Sequence, residues 1–168
     1  MTTTLFTNAH IATGEPGSTA ASTLPLQDIL VTDGVFTAFG PGLAQQYEAQ
    51  GGDLAAIEVV DLGGKLVCPP FCDTHLHLDY VFTARKPGAV NESGTLFEGI
   101  QRWSETKSDL TVDEIKQRAK IGIKKEMLHG VQLIRSHADV TDPNLTSLKA
   151  LLELKEELKD TVTLQIVS

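Results

Sequence analysis

Two histidines separated by one residue are the strongest chemical signal in the sequence. His75 and His77 flank Leu76 at the end of an apolar stretch. Because successive side chains of a β-strand point to opposite faces, the two imidazoles would share one face while Leu76 packs on the other. Neutral imidazole is a suitable ligand for zinc, iron or nickel. Such a pair also occurs by chance in loops, but its place after Gly-Gly and Pro-Pro punctuation, at the start of a βα series, favours a metal site.

Three further histidines need an interpretation. His137 and Asp139 form a second pair at spacing two, at the carboxyl end of a predicted strand. They are candidates for supporting a metal ligand or contacting substrate, and the alternative is a structural hydrogen-bonding role. His129 precedes Gly130 at a predicted helix end, where a cation suits the helix dipole. His10 lies among predicted strands, and we interpret both His129 and His10 as structural.

Composition limits the class of protein that carries these residues. The chain has 168 residues, 14 Lys and Arg, 22 Asp and Glu, a net charge of −8 and 41% hydrophobic side chains. This composition is globular and argues against a nucleic-acid partner, which would require clustered basic residues. No stretch approaches the roughly 18 apolar residues of a membrane span, and the N-terminus has no signal-peptide pattern. Cys68 and Cys72 are expected to be free and buried in a reducing cytoplasm, rather than a disulfide or metal pair.

The first part of the chain reads as strands joined by turns. We predict a strand over residues 4–11, a loose stretch over residues 12–23, and two strands around Asp33 and Gly34, a strong hairpin signal. Residues 43–50 are the one candidate helix. The pattern predicts a small β domain over residues 1–64.

From Lys65 onward the pattern alternates between strand and helix. One buried strand is expected to run from Leu66 through Phe71 toward His77, and a helix over residues 95–106. Thr111 and Glu114 form a capping box that opens a second helix, which ends at Gly130. The predicted buried positions of that helix are Ile115, Ala119, Gly122 and Ile123.

The last third continues the same alternation. A strand over residues 131–137 is followed by a helix that Asp142 and Pro143 are expected to open, and then by a strand over residues 162–167. The predicted buried stripe of this helix is Leu148, Leu151, Leu152 and Leu158. Three strands separated by helices predict parallel βα units over residues 65–168.

Several segments together resemble a known family. Residues 61–79 (DLGGKLVCPPFCDTHLHLD) resemble the opening of the amidohydrolase superfamily, metal-dependent enzymes with a (β/α)8 TIM barrel beside a small β-sandwich. Residues 93–103 (SGTLFEGIQRW), 135–139 (RSHAD) and 164–167 (LQIV) are similar to its cytosine deaminase branch, in the same order. The resemblance implies an α/β protein that holds the N-terminal portion of such a barrel, preceded by a β-sandwich segment.

The resemblance also implies roles for three residues. His75 and His77 match two ligands of one catalytic Fe²⁺ or Zn²⁺, and Leu96 matches a leucine that lines the pyrimidine pocket. Leu96 is equally readable as the first core leucine of its helix. The metal would lower the pKa of a bound water toward about 7 for the hydrolytic release of ammonia. In the family, the remaining ligands and the acid–base residue lie on later strands, so we expect the catalytic acid–base residue beyond residue 168.

Three functions remain open at this point. The favoured one is deamination of cytosine or a related amino-pyrimidine by an enzyme of which this chain is the N-terminal part. Residues 80–90 depart from the deaminase pattern, so another cyclic amidine or amide, such as a triazine or creatinine, is the alternative. A non-catalytic chain that acts by association is the third. The expected partner is a nucleobase-like small molecule, and a homo-oligomer of the full-length protein is left open.

Overall fold

The computed structural model describes residues 2–12 and 24–168. It divides the chain into two compact units, residues 1–69 and 70–168. Most of the stretch predicted to be loose, residues 12–23, lies outside the described residues. Among the described residues, no helix combines the length and the apolar character that crossing a membrane requires.

The first unit is built around a mixed β-sheet. Its strands lie in the order β3-β2-β1-β4. Strand β5 also pairs with β1, further along that strand, at His10 and Ile11. The predicted hairpin is confirmed, since Asp33 and Gly34 have φ values of 49° and 78° and both must be positive in a type I′ turn. Leu43 begins the predicted helix α1, and its amide donates to the buried Asp28 carboxylate at 2.9 Å. The elements are β1 Thr3–Ile11, β2 Leu26–Thr32, β3 Val35–Gly40, α1 Leu43–Ala49, β4 Glu58–Asp61 and β5 Leu66–Val67.

The second unit contains the predicted parallel βα units. Its sheet has the order β6-β7-β8, and both pairings are parallel. The strands and helices are β6 Phe71–Leu76, α2 Leu96–Lys107, α3 Val112–Leu128, β7 Val131–His137, α4 Thr146–Glu157 and β8 Thr163–Val167. Leu78, Ile123, Ile134, Leu151 and Leu164 are members of one buried core, to which α3, α4 and the sheet all contribute.

Helix α3 forms as the sequence predicts. The hydroxyl of Thr111 accepts a hydrogen bond from the Glu114 amide, and the helix ends before Gly130, whose φ is 87°. All four predicted core positions are buried. A Cβ on Gly122 would lie 3.4 Å from the side chain of Leu78, an ordinary contact distance, so α3 packs directly against the segment after β6 at this position.

The prediction of one buried strand from Leu66 to His77 is wrong. Strand β5 pairs with β1 in the first unit, whereas β6 starts at Phe71 in the second. Two prolines lie between them, and a proline has no amide N–H to donate to a strand ladder. Cys68 and Cys72 are free as predicted but exposed, so the expectation that they are buried is also wrong.

Two helical predictions need correction. Helix α4 starts at Thr146 and not at Asp142, whose carboxylate instead accepts hydrogen bonds from the loop and from Thr146. Leu152 is 51% exposed and does not belong to the buried stripe, which contains Leu151 and Leu154. Helix α2 covers the predicted residues, but none of its side chains is buried.

Candidate metal centre

Three histidines converge at the carboxyl ends of two adjacent parallel strands. The register pairs Leu76 of β6 with Ser136 of β7, so the residues that follow, His77 and His137, are neighbours. Residues in register on adjacent strands point to the same face. The register shifts between Asp73 and Leu76, but the ring of His75 still lies on that face, with its centroid 4.1 Å from that of His137. The strand geometry that places His75 and His77 together therefore adds His137.

The three side chains lie close enough to share one ion. One ligand atom from each of His75, His77 and His137 lies within 4.8 Å of the others. The rings of His75 and His137 stack with centroids 4.1 Å apart, and those of His75 and His77 meet edge-on at 5.2 Å. The Nδ1 atom of His137 is buried and has no hydrogen-bond partner among the described residues. A set of imidazole donors with an unpartnered nitrogen fits a divalent transition metal.

Buried hydrogen bonds fix the strand ends that carry the histidines. The Asp79 carboxylate is fully buried and accepts a hydrogen bond from the Asp139 amide at 2.8 Å. The buried Ser136 hydroxyl accepts from the Leu78 amide at 3.0 Å. The Arg118 guanidinium donates to the backbone carbonyl of Asp79 at 3.2 Å. These bonds join the segment after β6 to β7 and α3, so the histidines are held on a fixed backbone.

Burial also shifts the pKa values of His77 and Asp79. It lowers the pKa of His77 below its usual value of 6.5, against the effect of Asp79 and with that of His75 and His137. The Nδ1 atom of His77 lies 4.0 Å from an Asp79 oxygen. Burial raises the pKa of Asp79, although its backbone hydrogen bonds oppose the shift. A neutral imidazole is the form that binds a metal, so the environment of His77 favours binding.

An aromatic contact links the cluster to helix α2. The Tyr80 ring stacks on His77 at 4.7 Å and meets Trp103 at 4.9 Å. The indole N–H of Trp103 donates to the Asp139 carboxylate, to which Lys107 also donates at 3.0 Å. Burial would raise the pKa of Asp139, but its hydrogen bonds hold it well below the usual range. Asp139 therefore anchors α2 as an ionised acceptor.

A cavity of about 500 Å³ lies between helix α2 and the segment that follows Tyr80. Tyr80 and Trp103 line it, and so does Leu96. Leu96 is 74% exposed, so its interpretation as a core leucine is wrong, while its predicted contact with substrate stays a prediction. The loop before α2 is ordered by Glu98, whose carboxylate accepts from the amides of Glu92 and Ser93 at 3.1 and 2.7 Å.

The remaining sequence candidates lie elsewhere or have other partners. His129 caps the end of α3 and its Nδ1 lies 2.8 Å from the Lys125 carbonyl, consistent with a structural role. His10 belongs to β1 of the first unit. Sequence reasoning gave His137 no ligand role, although its position at the end of a parallel strand was the signal that could have placed it beside His77.

Parallel βα units with clustered histidines at the strand ends define a candidate metal enzyme of the α/β class. The chain belongs to the amidohydrolase family, whose sequence profile matches residues 58–155. Enzymes of this family are metal-dependent, and the three histidines are a candidate site for that metal.

Particular relatives narrow the comparison. The chain is 38% identical to a solved structure of 5-methylcytosine deaminase from Klebsiella pneumoniae liganded with 5-fluorocytosine, with a TM-score of 0.78 over 98% of this chain and 36% of that one. It is 34% identical to N-isopropylammelide isopropyl amidohydrolase from Pseudomonas sp. (strain ADP), over 65% of this chain and 28% of the relative. It is 26% identical to pterin deaminase from Rhizobium rhizogenes (strain K84 / ATCC BAA-868), over 84% of this chain and 30% of the relative.

The names of the three relatives describe two deaminases and one amidohydrolase. The chain spans about 30% of the length of the curated relatives it matches.

Proposed function

We propose that this chain supplies the first portion of a metal-dependent deaminase that hydrolyses the exocyclic amino group of cytosine, 5-methylcytosine or a related amino-pyrimidine. The observation that carries the proposal is the His75–His77 pair at the end of β6, in a chain 38% identical to a 5-methylcytosine deaminase along 98% of its length. The proposed architecture is the N-terminal portion of a (β/α)8 barrel over residues 65–168, preceded by a β-sandwich segment over residues 1–64. Active groups of such barrels lie at the carboxyl ends of the strands, where these histidines are found.

Each part of the site has a proposed task. His75 and His77 would hold one Fe²⁺ or Zn²⁺. When bound, the metal supplies a water acidic enough to attack at neutral pH. Asp79 and Ser136 keep the strand ends aligned, and Tyr80 forms the wall between the cluster and the cavity under α2. Leu96 would contact the pyrimidine ring from that cavity.

The proton transfers require a further group. Asp73, Asp79 and Asp139 are the carboxylates on β6, on β7 and just beyond them, and each one accepts hydrogen bonds from the chain itself. A general acid–base must reach the reacting atoms and change protonation during the reaction. We therefore assign that role to a residue outside residues 1–168, and we expect the 168-residue chain to release no ammonia on its own.

A second function has its own support. The 34% identity to N-isopropylammelide isopropyl amidohydrolase favours a hydrolase that removes an alkylamine from a triazine. Both reactions cleave a C–N bond beside a ring nitrogen, so the same metal site would serve either. The difference would lie in the ring and the departing amine that the pocket admits.

A chimaera with the Klebsiella enzyme tests the proposal. Residues 1–168 replace the matching 36% of that enzyme, and release of amine is measured with cytosine, 5-methylcytosine, pterin and N-isopropylammelide. We expect the highest kcat/KM with one of the two pyrimidines. N-isopropylammelide as the best substrate would favour the second function instead. A chimaera that folds and binds metal but acts on none of the four compounds would refute both proposed functions. Sustained turnover by the 168-residue chain alone would refute the assignment of the acid–base residue.

A further inference from the structure

Helix α2 is attached to the second unit mainly by polar contacts. None of its residues is buried, and three of its apolar side chains are more than half exposed: Leu96, Phe97 and Ile100. Its apolar contact with the rest of the unit is the partly buried ring of Trp103, which packs against a small cluster with Ile115 at its centre. Among the described residues, the hydrogen bonds that join α2 to any part of the chain beyond its own flanking loops all end on Asp139 or Thr141.

The Asp139 residue connects α2 to both strand ends of the candidate metal centre. Its backbone amide donates to the buried Asp79 carboxylate, in the segment that follows β6, at 2.8 Å. One carboxylate oxygen accepts from the amide and the hydroxyl of Thr141 at 2.7 and 2.6 Å. The other oxygen accepts from the indole N–H of Trp103 and from the Lys107 ammonium. The backbone of Asp139 is therefore tied to the segment after β6, while its side chain holds α2.

The position of α2 sets one wall of the cavity of about 500 Å³. Trp103 and Leu96 line the cavity from the helix, and the ring of Tyr80, 4.9 Å from that of Trp103, lines it from the other side. The same Tyr80 ring stacks on His77 at 4.7 Å. Neither Asp139 nor Lys107 is among the described residues that line the cavity. A shift of α2 would therefore move the cavity wall that lies next to the histidine cluster.

We propose that Asp139 is a positioning residue for substrate binding, which fixes α2 as a wall of the cavity through its contacts with Trp103 and Lys107. The inference rests on the proposed function for the presence of the substrate in this cavity. Hydrogen bonds to an ionised carboxylate are stronger than those between neutral groups, so two such bonds can hold a helix that buries no apolar side chain. Because Asp139 acts through the binding wall and not on the reacting atoms, its loss should raise KM and leave kcat nearly unchanged.

Hydrogen exchange of the Trp103 indole N–H tests the attachment in the 168-residue chain. Trp103 is the single tryptophan, so its indole proton gives one resolved NMR signal. In Asp139→Asn, one acceptor oxygen replaces two and cannot serve both Thr141 and the donors of α2. We expect the indole proton to exchange at least about tenfold faster in this variant. Far-ultraviolet circular dichroism shows whether the variant is folded.

Two other variants complete the experiment. Lys107→Met removes one donor of α2 and leaves the bonds of Asp139 to its own loop intact, so it carries the test if Asp139→Asn does not fold. Asp142→Asn is the matched control, because that carboxylate lies three residues further on and accepts from Asn144 and Thr146 at the start of α4. Its indole exchange should stay within about twofold of the unmodified chain, since it removes no contact of α2.

The same variants in the chimaera with the Klebsiella enzyme test the effect on the substrate. With the best of the four compounds, Asp139→Asn should raise KM about tenfold or more, and Lys107→Met should raise it by a smaller factor. Both should keep kcat within about twofold, and Asp142→Asn should change neither constant beyond about twofold.

Different outcomes overturn the inference and the proposed function. Indole exchange that is unchanged in folded Asp139→Asn, or in Lys107→Met if that variant alone folds, overturns the inference and leaves the proposed function standing. So does an active chimaera in which these substitutions leave KM unchanged or lower only kcat. A chimaera that acts on none of the four compounds overturns the proposed function, and the inference about substrate binding falls with it.

Discussion

Replacing Asp79 by alanine removes the carboxylate that joins the segment after β6 to the end of β7. Asp79 is fully buried, and its oxygens accept hydrogen bonds from the amides of Asp139 at 2.8 Å and Tyr80 at 3.1 Å. The alanine variant leaves both amides without this acceptor. We therefore expect the second unit to lose stability and the histidine cluster to lose its alignment.

The expected loss of stability follows from these two hydrogen bonds and from the buried charge of Asp79. A hydrogen bond to a charged acceptor contributes about 1.5–3 kcal/mol, so two contribute roughly 3–6 kcal/mol. Burial raises the pKa of Asp79, which means that keeping its charge inside the protein offsets part of this gain. We expect Asp79→Ala to lower the free energy of unfolding by about 2–4 kcal/mol. Asp79→Asn retains an acceptor oxygen and removes the buried charge, so its loss should stay below about 1.5 kcal/mol.

Urea unfolding followed by tryptophan fluorescence measures both variants. Trp103 is the single tryptophan of the chain and lies in the second unit, so its signal reports the unit that contains Asp79. Cobalt affinity, measured in parallel, should fall about 10–100-fold in the alanine variant because a group that orients a ligand is lost. An alanine variant as stable as the unmodified chain, or an asparagine variant as unstable as the alanine one, would refute this account of the strand ends.

Two further predictions concern the stability of the second unit, and a third concerns the pH dependence of the loop before α2. Ser136→Ala leaves the buried Leu78 amide unpaired and should cost about 1–3 kcal/mol of unfolding free energy in the same urea experiment; no change would show that the bond is dispensable. Leu151→Ala opens a cavity in the core of the second unit and should cost about 2–5 kcal/mol, and a smaller loss would mean that the helices close over it. Hydrogen bonds from Ser93 and from the neighbouring amide lower the pKa of Glu98 from 4.5 to about 2. Their stabilising effect should be present above pH 4.5 and lost as the pH falls toward about 2, and amide-exchange protection of Ser93 should follow this course in the unmodified chain but not in Glu98→Gln.

The sequence alone was enough to predict the part of the site that lies on one strand. The spacing of His75 and His77 is enough to place both imidazoles on one face of a strand, because alternation is a property of any strand. The third histidine depends on the register between β6 and β7, which pairs residues 60 positions apart. Register follows from the packing of the whole sheet, so His137 had to be located by the structure.

The sequence alone also could not tell which residues of a helix are buried. Leucines are frequent in α4, and helical spacing alone does not tell which of them faces the sheet; the structure buries Leu154 and exposes Leu152. In α2, Leu96 could equally be read as the first core leucine of the helix, but it is exposed and lines a cavity. A stripe indicates which face of a helix is apolar and leaves open what that face contacts.

The metal content of the chimaera tests the central claim most directly. Elemental analysis after desalting is carried out on the chimaera that contains residues 1–168 and on its His75→Ala/His77→Ala double variant. We expect about one iron or zinc ion per chain in the first and none in the second, because two ligands from one strand are lost. One ion per chain in the double variant would contradict the assignment of His75 and His77 as metal ligands.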